Sequence, residues 1–206
     1  RWPWPRVNLA KLINKLTTAS PAAIGLDIMF PEPELSPLEL LKSGSGNTDL
    51  ADLIPEEIEQ INETIDGDVQ FANAIGNSTV VLGFSLAPNQ DSSTGTLPEP
   101  ALELTESERD VLLVAEMPGY LASIPALQEV ASGAGFVFVK PDDDGVIRWG
   151  NMVLDYEGGL FPSLSLALIQ HYLGMPPIEL IKARDIEGNH VLEGISLGGM
   201  ITIPTD

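Results

Sequence analysis

The sequence predicts a mixed α/β fold, in which helices cover the faces of a largely parallel sheet and an antiparallel hairpin adds to that sheet. In the first half of the chain, helical patterns alternate with short apolar runs, as in right-handed crossovers between parallel strands. In the second half, two β-prone runs flank an acidic turn and a helical pattern follows. At 206 residues, the chain is long enough for one well-packed domain, and a single domain over residues 1–206 is expected.

The first half is predicted to contain two helix–strand units. A helix over residues 7–18 precedes a strand at 23–30, whose nearly continuous apolar run is typical of strands buried on both faces. Isoleucines spaced three or four residues apart up to Val69 predict a second helix, and an apolar run at 79–86 predicts the second strand. The apolar face of the first helix is formed by Leu9, Leu12, Ile13 and Leu16.

The second half is predicted to contain a helix, a hairpin and another helix. Ser123 is a suitable N-cap for a helix reaching residue 131. The β-prone runs at 136–139 and 146–156 flank Asp144-Gly145, a strong hairpin signal because primed turns need φ > 0 at their central residues. Pro162 and Ser163 then begin a helix with an apolar face. Short strand signals follow at 190–203.

Charge is unevenly distributed and excludes one class of partner. Residues 1–26 contain four cations and no acid, so they carry +4; since the net charge is −20, the other 180 residues carry −24. Because nucleic-acid affinity comes largely from cations that neutralise phosphates, no nucleic-acid partner is expected. The basic start with Trp2 and Trp4 fits a segment near lipid headgroups, where Trp and cations are enriched. Alternatively, both indoles pack on the domain while Arg6, Lys11 and Lys15 lie on a solvated helix face.

Asp27 is the first candidate site residue, because it interrupts an apolar strand. A buried carboxylate needs a specific partner; otherwise it must lie at an exposed strand end. The carboxyl ends of parallel strands are where open α/β sheets bind ligands. Asp27 is therefore either a ligand contact or a structural hydrogen-bond anchor.

The other candidate site residues are Asp142, Asp144 and Arg148, in and after the acidic turn. An EF-hand loop beginning at Asp142 would place Ile147 where a glycine is needed and Val153 where a glutamate is needed, so a calcium loop is not expected. Arg148 either pins the turn through an ion pair with Asp144 or Asp142, or clamps an anionic ligand.

Catalytic and cofactor motifs are missing from the sequence. The chain has no cysteine, which excludes disulfides and thiolate nucleophiles, and its two histidines do not form a zinc motif. No nucleophile elbow occurs either. We therefore expect no enzyme activity, cofactor or metal, and no apolar run approaches the ~18 to 20 residues of a membrane-spanning helix.

Three blocks of this sequence resemble the type-2 CHASE domain, a sensory extracellular family associated with cyclases and histidine kinases. The third block, at residues 133–174, contains the acidic turn and the following helix. The second is DVQFANA at residues 68–74. The matching residues of the third block are Gly135, Phe136, Asp142, Asp144, Gly145, Arg148, Phe161, Pro162 and Ser163. Those of the first block are Pro5, Arg6, Leu9, Ala10, Leu12, Leu16, Pro21, Ile24, Gly25, Asp27, Ile28, Phe30 and Pro33.

The resemblance implies an extracytoplasmic sensor of a membrane-bound bacterial receptor whose output is an adenylate or guanylate cyclase, a histidine kinase or a Ser/Thr kinase. It also implies an unknown small-molecule or environmental ligand, flanking membrane helices, a possible homodimer and chain ends on one face. An acidic insertion at about 35–67 and a C-terminal strand that is expected to continue beyond the chain depart from the family pattern. The alternative function is a free-standing secreted hydrolase or carbohydrate-active domain that uses paired carboxylates.

Overall fold

The computed structural model describes residues 4–36, 66–86, 92–109, 114–139, 141–184 and 190–205. The helices in these ranges are α1 (Arg6–Thr17), α2 (Gly67–Gly76), α3 (Glu106–Arg109), α4 (Pro125–Gln128) and α5 (Leu164–Tyr172). The strands are β1 (Ile24–Leu26), β2 (Val80–Leu86), β3 (Leu102–Glu103), β4 (Tyr120–Leu121), β5 (Gly133–Phe136), β6 (Val153–Tyr156), β7 (Gly159–Pro162), β8 (Ile178–Arg184), β9 (His190–Leu197) and β10 (Ile201–Pro204). The predicted insertion lies mostly outside the described residues.

Three sheets make up the β structure. In the first, β1 and β5 both pair with β2 in parallel, and β4 pairs with the end of β2 in the antiparallel sense. The second sheet has the order β3-β7-β6 and the third has the order β10-β9-β8. Every pairing in these two sheets is antiparallel.

The mixed α/β class is confirmed, but the prediction of a largely parallel sheet is wrong. Among the named strands, parallel pairing is confined to β1, β2 and β5, and every other pair is antiparallel. The helix–strand alternation that favours crossovers holds as far as β5, which α4 precedes. Beyond β5, short connections join β6 to β7, β8 to β9 and β9 to β10, and a short connection can return only to an antiparallel neighbour.

The main core lies between the first sheet and the helices α1 and α2. Val80, Leu82 and Phe84 of β2 share one buried cluster with apolar side chains of both helices. Helix α5 packs against β1, β2 and β5 as well, with Leu168 lying over Gly25. This double cover explains why β2 is almost entirely buried and reads as a continuous apolar run.

Helix α1 confirms the predicted helix but uses only part of its predicted apolar face. Leu9 and Ile13 are buried, whereas Leu12 and Leu16 are exposed. Helix α1 packs mainly on α2 rather than on a broad sheet surface. Packing against one helix covers a narrower stripe than packing against a sheet, so the outer pair of leucines is left uncovered.

The predicted hairpin around Asp144-Gly145 is wrong in its strands and correct in its turn. Gly145 N donates to the Asp142 carbonyl at 2.8 Å and has φ +79°. However, β5 ends at Phe136 and pairs with β2, while β6 pairs with β7 across a turn at Glu157-Gly158. The β-prone residues nearest the acidic turn are exposed and find no buried face, so they form no ladder.

The helix predicted up to Val69 lies mostly outside the described residues, and the helix found there, α2, covers Gly67–Gly76. The other elements differ from prediction mainly at their ends. Ser163 is the N-cap of α5, accepting from the Leu166 N–H at 3.2 Å, as its position predicts. Ser123 does not cap α4, whose N-cap is Ile124. Strands β9 and β10 confirm the strand signals at 190–203. Across the described part of the chain, no helix combines the length and apolar character needed to cross a bilayer.

Candidate functional site

Asp27 lies just beyond the carboxyl end of β1 and is exposed. Its position therefore matches the exposed strand end that was one of the two alternatives for it. A Cβ built on Gly83 of β2 would lie 3.4 Å from both the Asp27 Cα and the Val137 side chain. The residues that follow the carboxyl ends of β1 and β5 therefore lie on either side of β2 here. No hydrogen bond or ion pair joins Asp27 to another described residue, which argues against the anchor role.

Asp142, Asp144 and Arg148 come together as one ion-pair cluster. The Arg148 guanidinium donates to Asp144 Oδ1 and Oδ2 at 3.0 and 2.7 Å and to Asp142 Oδ2 at 2.7 Å. Asp144 also accepts from the Val146 N–H at 3.1 Å. The Arg148 guanidinium and this backbone N–H lower the pKa of the Asp144 carboxyl below its ordinary value.

This geometry matches the turn-pinning alternative for Arg148. Both terminal nitrogens of its guanidinium are engaged by carboxylates of the same turn, which leaves little capacity for an anionic ligand. All three side chains are substantially exposed. The structure does not bring Asp27 into hydrogen-bonding contact with this cluster. A ligand role for these four residues stays a prediction.

A more buried cluster, which sequence reasoning missed, surrounds Arg6 at the start of α1. Arg6 Nε donates to Asp68 Oδ1 at 2.9 Å, and its Nη2 donates to the Glu32 carbonyl at 3.0 Å. The guanidinium lies 4.3 Å from the centre of the Phe30 ring, a cation–π geometry. The Arg6 and Asp68 side chains are only 14% and 11% exposed, so Arg6 does not lie on a solvated helix face.

Glu34 completes this Arg6 cluster from the other side. Its carboxylate accepts from the Arg6 N–H at 3.1 Å through both oxygens, and its own N–H donates to Asp68 Oδ2 at 2.7 Å. Gly67 leaves room for that carboxylate, since a Cβ there would lie 1.9 Å from Glu34 Oε2. The cluster thus ties α1, α2 and the segment after β1 together. Its signal in the sequence is that Arg6 and Phe30 belong to the first block of the resemblance and Asp68 to the second.

A second missed cluster surrounds Asp155 of β6. Asp155 is buried, accepts from Arg109 Nε at 2.9 Å and accepts from the Gly158 N–H at 2.7 Å. Arg109 also donates to Glu116 at 2.6 Å. The hydrogen bond from Arg109 to Asp155 raises the pKa of the Arg109 guanidinium above its ordinary value. These contacts connect α3 to β6. Because the charged groups of the cluster bond to one another, we interpret the cluster as structural.

The neighbouring residue of α3 makes a contact between sheets. Glu108 accepts from Lys182 Nζ of β8 at 2.5 Å and from the Thr105 N–H and hydroxyl at 3.1 and 2.9 Å. Lys182 and Thr105 lower the pKa of the Glu108 carboxyl to about 2. Helix α3 therefore connects the second sheet to the third.

The described residues supply no catalytic arrangement. No group of three or more acids or histidines among them is placed to hold a metal ion. His171 packs beside Gly133, burial lowers its pKa, and no hydrogen bond joins its ring to another described side chain. Among the described side chains, His171 therefore has neither the nucleophile nor the orienting group of a nucleophile–base arrangement beside it.

The comparison with protein-family models supplies the remaining observation. A model described as CHASE2 domain matches residues 1–206, which is the whole chain. No curated protein and no solved structure matches the chain.

Proposed function

Because this chain belongs to the CHASE2 domain family, whose members are extracytoplasmic sensor domains of membrane receptors, we propose that it senses a ligand or environmental cue for a bacterial receptor. The output would be an adenylate or guanylate cyclase, a histidine kinase or a Ser/Thr kinase on the other side of the membrane. The observation that carries this proposal is the family match over all 206 residues. The domain itself performs no covalent chemistry.

The mechanism we propose is a population shift between two arrangements of the domain. A cue that binds one arrangement more tightly than the other moves the equilibrium by the difference between its two affinities. Helix α1 is the element best placed to pass this shift on, because it follows the N-terminal segment directly and is locked to α2 by Arg6 and Asp68. In a two-fold homodimer, the arrangement most common among oligomers, the shift would be reported twice. Arg1 and Asp206 lie outside the described residues, so the expectation that both chain ends share one face remains a prediction.

The test uses the full-length parent receptor in its own membrane. In intact spheroplasts, an added impermeant protease should digest this domain, and in membrane vesicles its loss should change cyclic-nucleotide synthesis or autophosphorylation. Arg6→Met should also change that output, because it loosens α1 from α2, whereas the exposed Lys11→Met on the same helix should not. Protection from the protease in intact spheroplasts would contradict the extracytoplasmic location, and unchanged output after digestion would contradict the sensor role.

The alternative of a hydrolase using paired carboxylates makes an opposite prediction. Asp155 is buried and shares Arg109 with a second acid, Glu116, so it is the carboxylate to replace. We expect no turnover of ester, phosphate or glycoside substrates by the isolated domain. Turnover that disappears in Asp155→Asn, in a protein that still folds, would replace the sensor proposal with the hydrolase.

A further inference from the structure

A groove of about 900 Å³ opens between the segment leading into β6 and the third sheet. Two other grooves in the described part of the chain have about 430 Å³ each, so this one is the roomiest of the three, and its volume is in the range of sites for drug-sized molecules. It is formed by parts of the chain that are distant in sequence, since β6 faces β9 and β10 across it. A molecule bound there would touch both the second and the third sheet.

The interior of the groove is apolar. Its floor contains Val153 and Ile195, which are buried members of the smaller hydrophobic core. Half-buried Met152, Leu192 and Ile203 line the walls. A molecule that covered the half-buried walls would remove their apolar area from water, which is the main source of affinity in such sites.

The rim of the groove is chemically different from its interior. Trp149 stands there with 64% of its surface exposed, an unusual exposure for the largest apolar side chain. Glu193 is exposed on β9 and is the only charged residue among the described residues that line the groove. The indole face of Trp149 attracts positive charge through its quadrupole, and the carboxylate of Glu193 attracts it through its own negative charge. No Lys or Arg among the described lining residues offsets this attraction.

We propose that this groove binds an apolar molecule with a cationic head group, such as an alkyl- or arylammonium compound. The apolar body lies on Met152, Leu192 and Ile203, and the ammonium lies at the rim against Trp149 and Glu193. The strongly negative charge of the chain favours the approach of such a cation and disfavours that of an anion. The site deepens the proposed function and rests on it only for its role in signalling, because binding itself can be measured on the isolated domain.

The experiment compares three amphiphiles with one tail: decyltrimethylammonium, decanol and decanoate, each below the concentration at which it forms micelles. Trp2→Phe and Trp4→Phe leave Trp149 as the only indole, so its emission reports on the rim directly. We expect decyltrimethylammonium to shift that emission to shorter wavelength, to bind with a stoichiometry near one and to bind more tightly than decanol and decanoate. Isothermal titration calorimetry gives the same constants where Trp149 itself is changed.

Three variants connect the binding to the groove. Glu193→Gln should weaken decyltrimethylammonium binding about fivefold and leave decanol binding unchanged, as removal of a partly solvated charge partner should. Trp149→Ala should weaken binding of the cation by a similar factor. Glu129→Gln, which makes the same charge change at an exposed position outside the groove, should have no effect.

Equal binding of the three amphiphiles, several weak sites per chain, or cation binding unchanged in both Glu193→Gln and Trp149→Ala would overturn the proposal. The outcome is independent of the receptor assay described above. A receptor that responds to its cue equally well with and without these substitutions refutes the signalling role of the groove and leaves the sensor function standing. A domain that binds the cation at this groove but is protected from protease in intact spheroplasts keeps the site and loses the proposed function.

Discussion

Replacing Arg6 by methionine tests whether the cluster at the start of α1 stabilises the domain. Methionine keeps the length and apolar stem of the side chain, but it removes the bonds to Asp68 and to the Glu32 carbonyl and the contact with Phe30. It leaves the backbone N–H of residue 6 free to donate to Glu34 as before. The substitution therefore deletes the guanidinium and little else.

The expected loss follows from the burial of the pair. Removing one partner of a buried ion pair costs about 3–5 kcal/mol, because the other charge stays desolvated. The Arg6 and Asp68 side chains keep 14% and 11% exposure, and Asp68 retains the Glu34 N–H at 2.7 Å, so the lower end of that range applies. We expect about 3 kcal/mol, which for a chain of this length lowers the melting temperature by about 6–12 °C.

The assay is urea unfolding followed by circular dichroism, applied to Arg6→Met, Asp68→Asn and the double variant. The coupling energy of this cycle should be about 1.5–3 kcal/mol, as for residues in direct charged contact. The control is Lys11→Met, which removes a cation from an exposed position of the same helix and should change stability by less than about 0.5 kcal/mol. An Arg6→Met variant as stable as this control, or additive single effects, would refute the argument that the cluster holds α1 to α2.

Three further predictions concern close packing, the acidic turn and pH. Gly135→Ala should destabilise by about 3 kcal/mol, because its Cβ would lie 2.5 Å from the Cα of Leu164 and backbone atoms cannot rotate away. Gly145→Val should cost about 1–2 kcal/mol because φ is +79°, and millimolar calcium should leave the melting temperature nearly unchanged. Glu108→Gln should destabilise the domain to the same extent at all pH values above about 5, and this effect should fade as the pH drops toward 2. The reason is that a carboxyl group whose pKa is lowered in the folded state loses its stabilising effect only as the pH falls from its ordinary pKa to the lowered one.

Each of these three has its own comparison. Gly150→Ala, where nothing lies within 4 Å of the added Cβ, should be harmless, and equal effects at 135 and 150 would contradict the packing argument. A large rise in melting temperature with calcium that disappears in Asp142→Ala would show a cation site in the turn. Lys182→Met should remove most of the pH dependence assigned to Glu108, and its persistence in that variant would show that another group causes it.

Local patterns were sufficient where one local force decides the outcome. The strand β2 followed from its apolar run, and the helix α5 followed from Ser163 ahead of an apolar face. The turn at Asp144-Gly145 followed from the conformational freedom of glycine. Each of these depends on residues a few positions apart, which a sequence displays directly.

Pairing and partnership were decided by the tertiary structure. The strand predicted at 136–139 lies at Gly133–Phe136 in the structure, and only the neighbouring β2 determines that it pairs in parallel there and not with residues beyond the acidic turn. In the same way, the sequence allowed Asp27 to be a hydrogen-bond anchor or to lie at an exposed strand end. Only the position at which β1 ends in the structure places it at an exposed end. A strand has two edges and two faces, and its sequence does not say which one another element will cover.

For this protein, the sequence by itself determined the mixed α/β class, the family resemblance and the strong negative charge. Only the tertiary structure decided that antiparallel pairing predominates, that Arg6 is held by Asp68 across 62 residues, and that Trp149 and Glu193 share the rim of one groove. The physical reason is the range of the interactions. Helix periodicity, turn preference and net charge are properties of neighbouring residues or of the composition, whereas ion pairs and grooves require groups that come together only when the chain has folded.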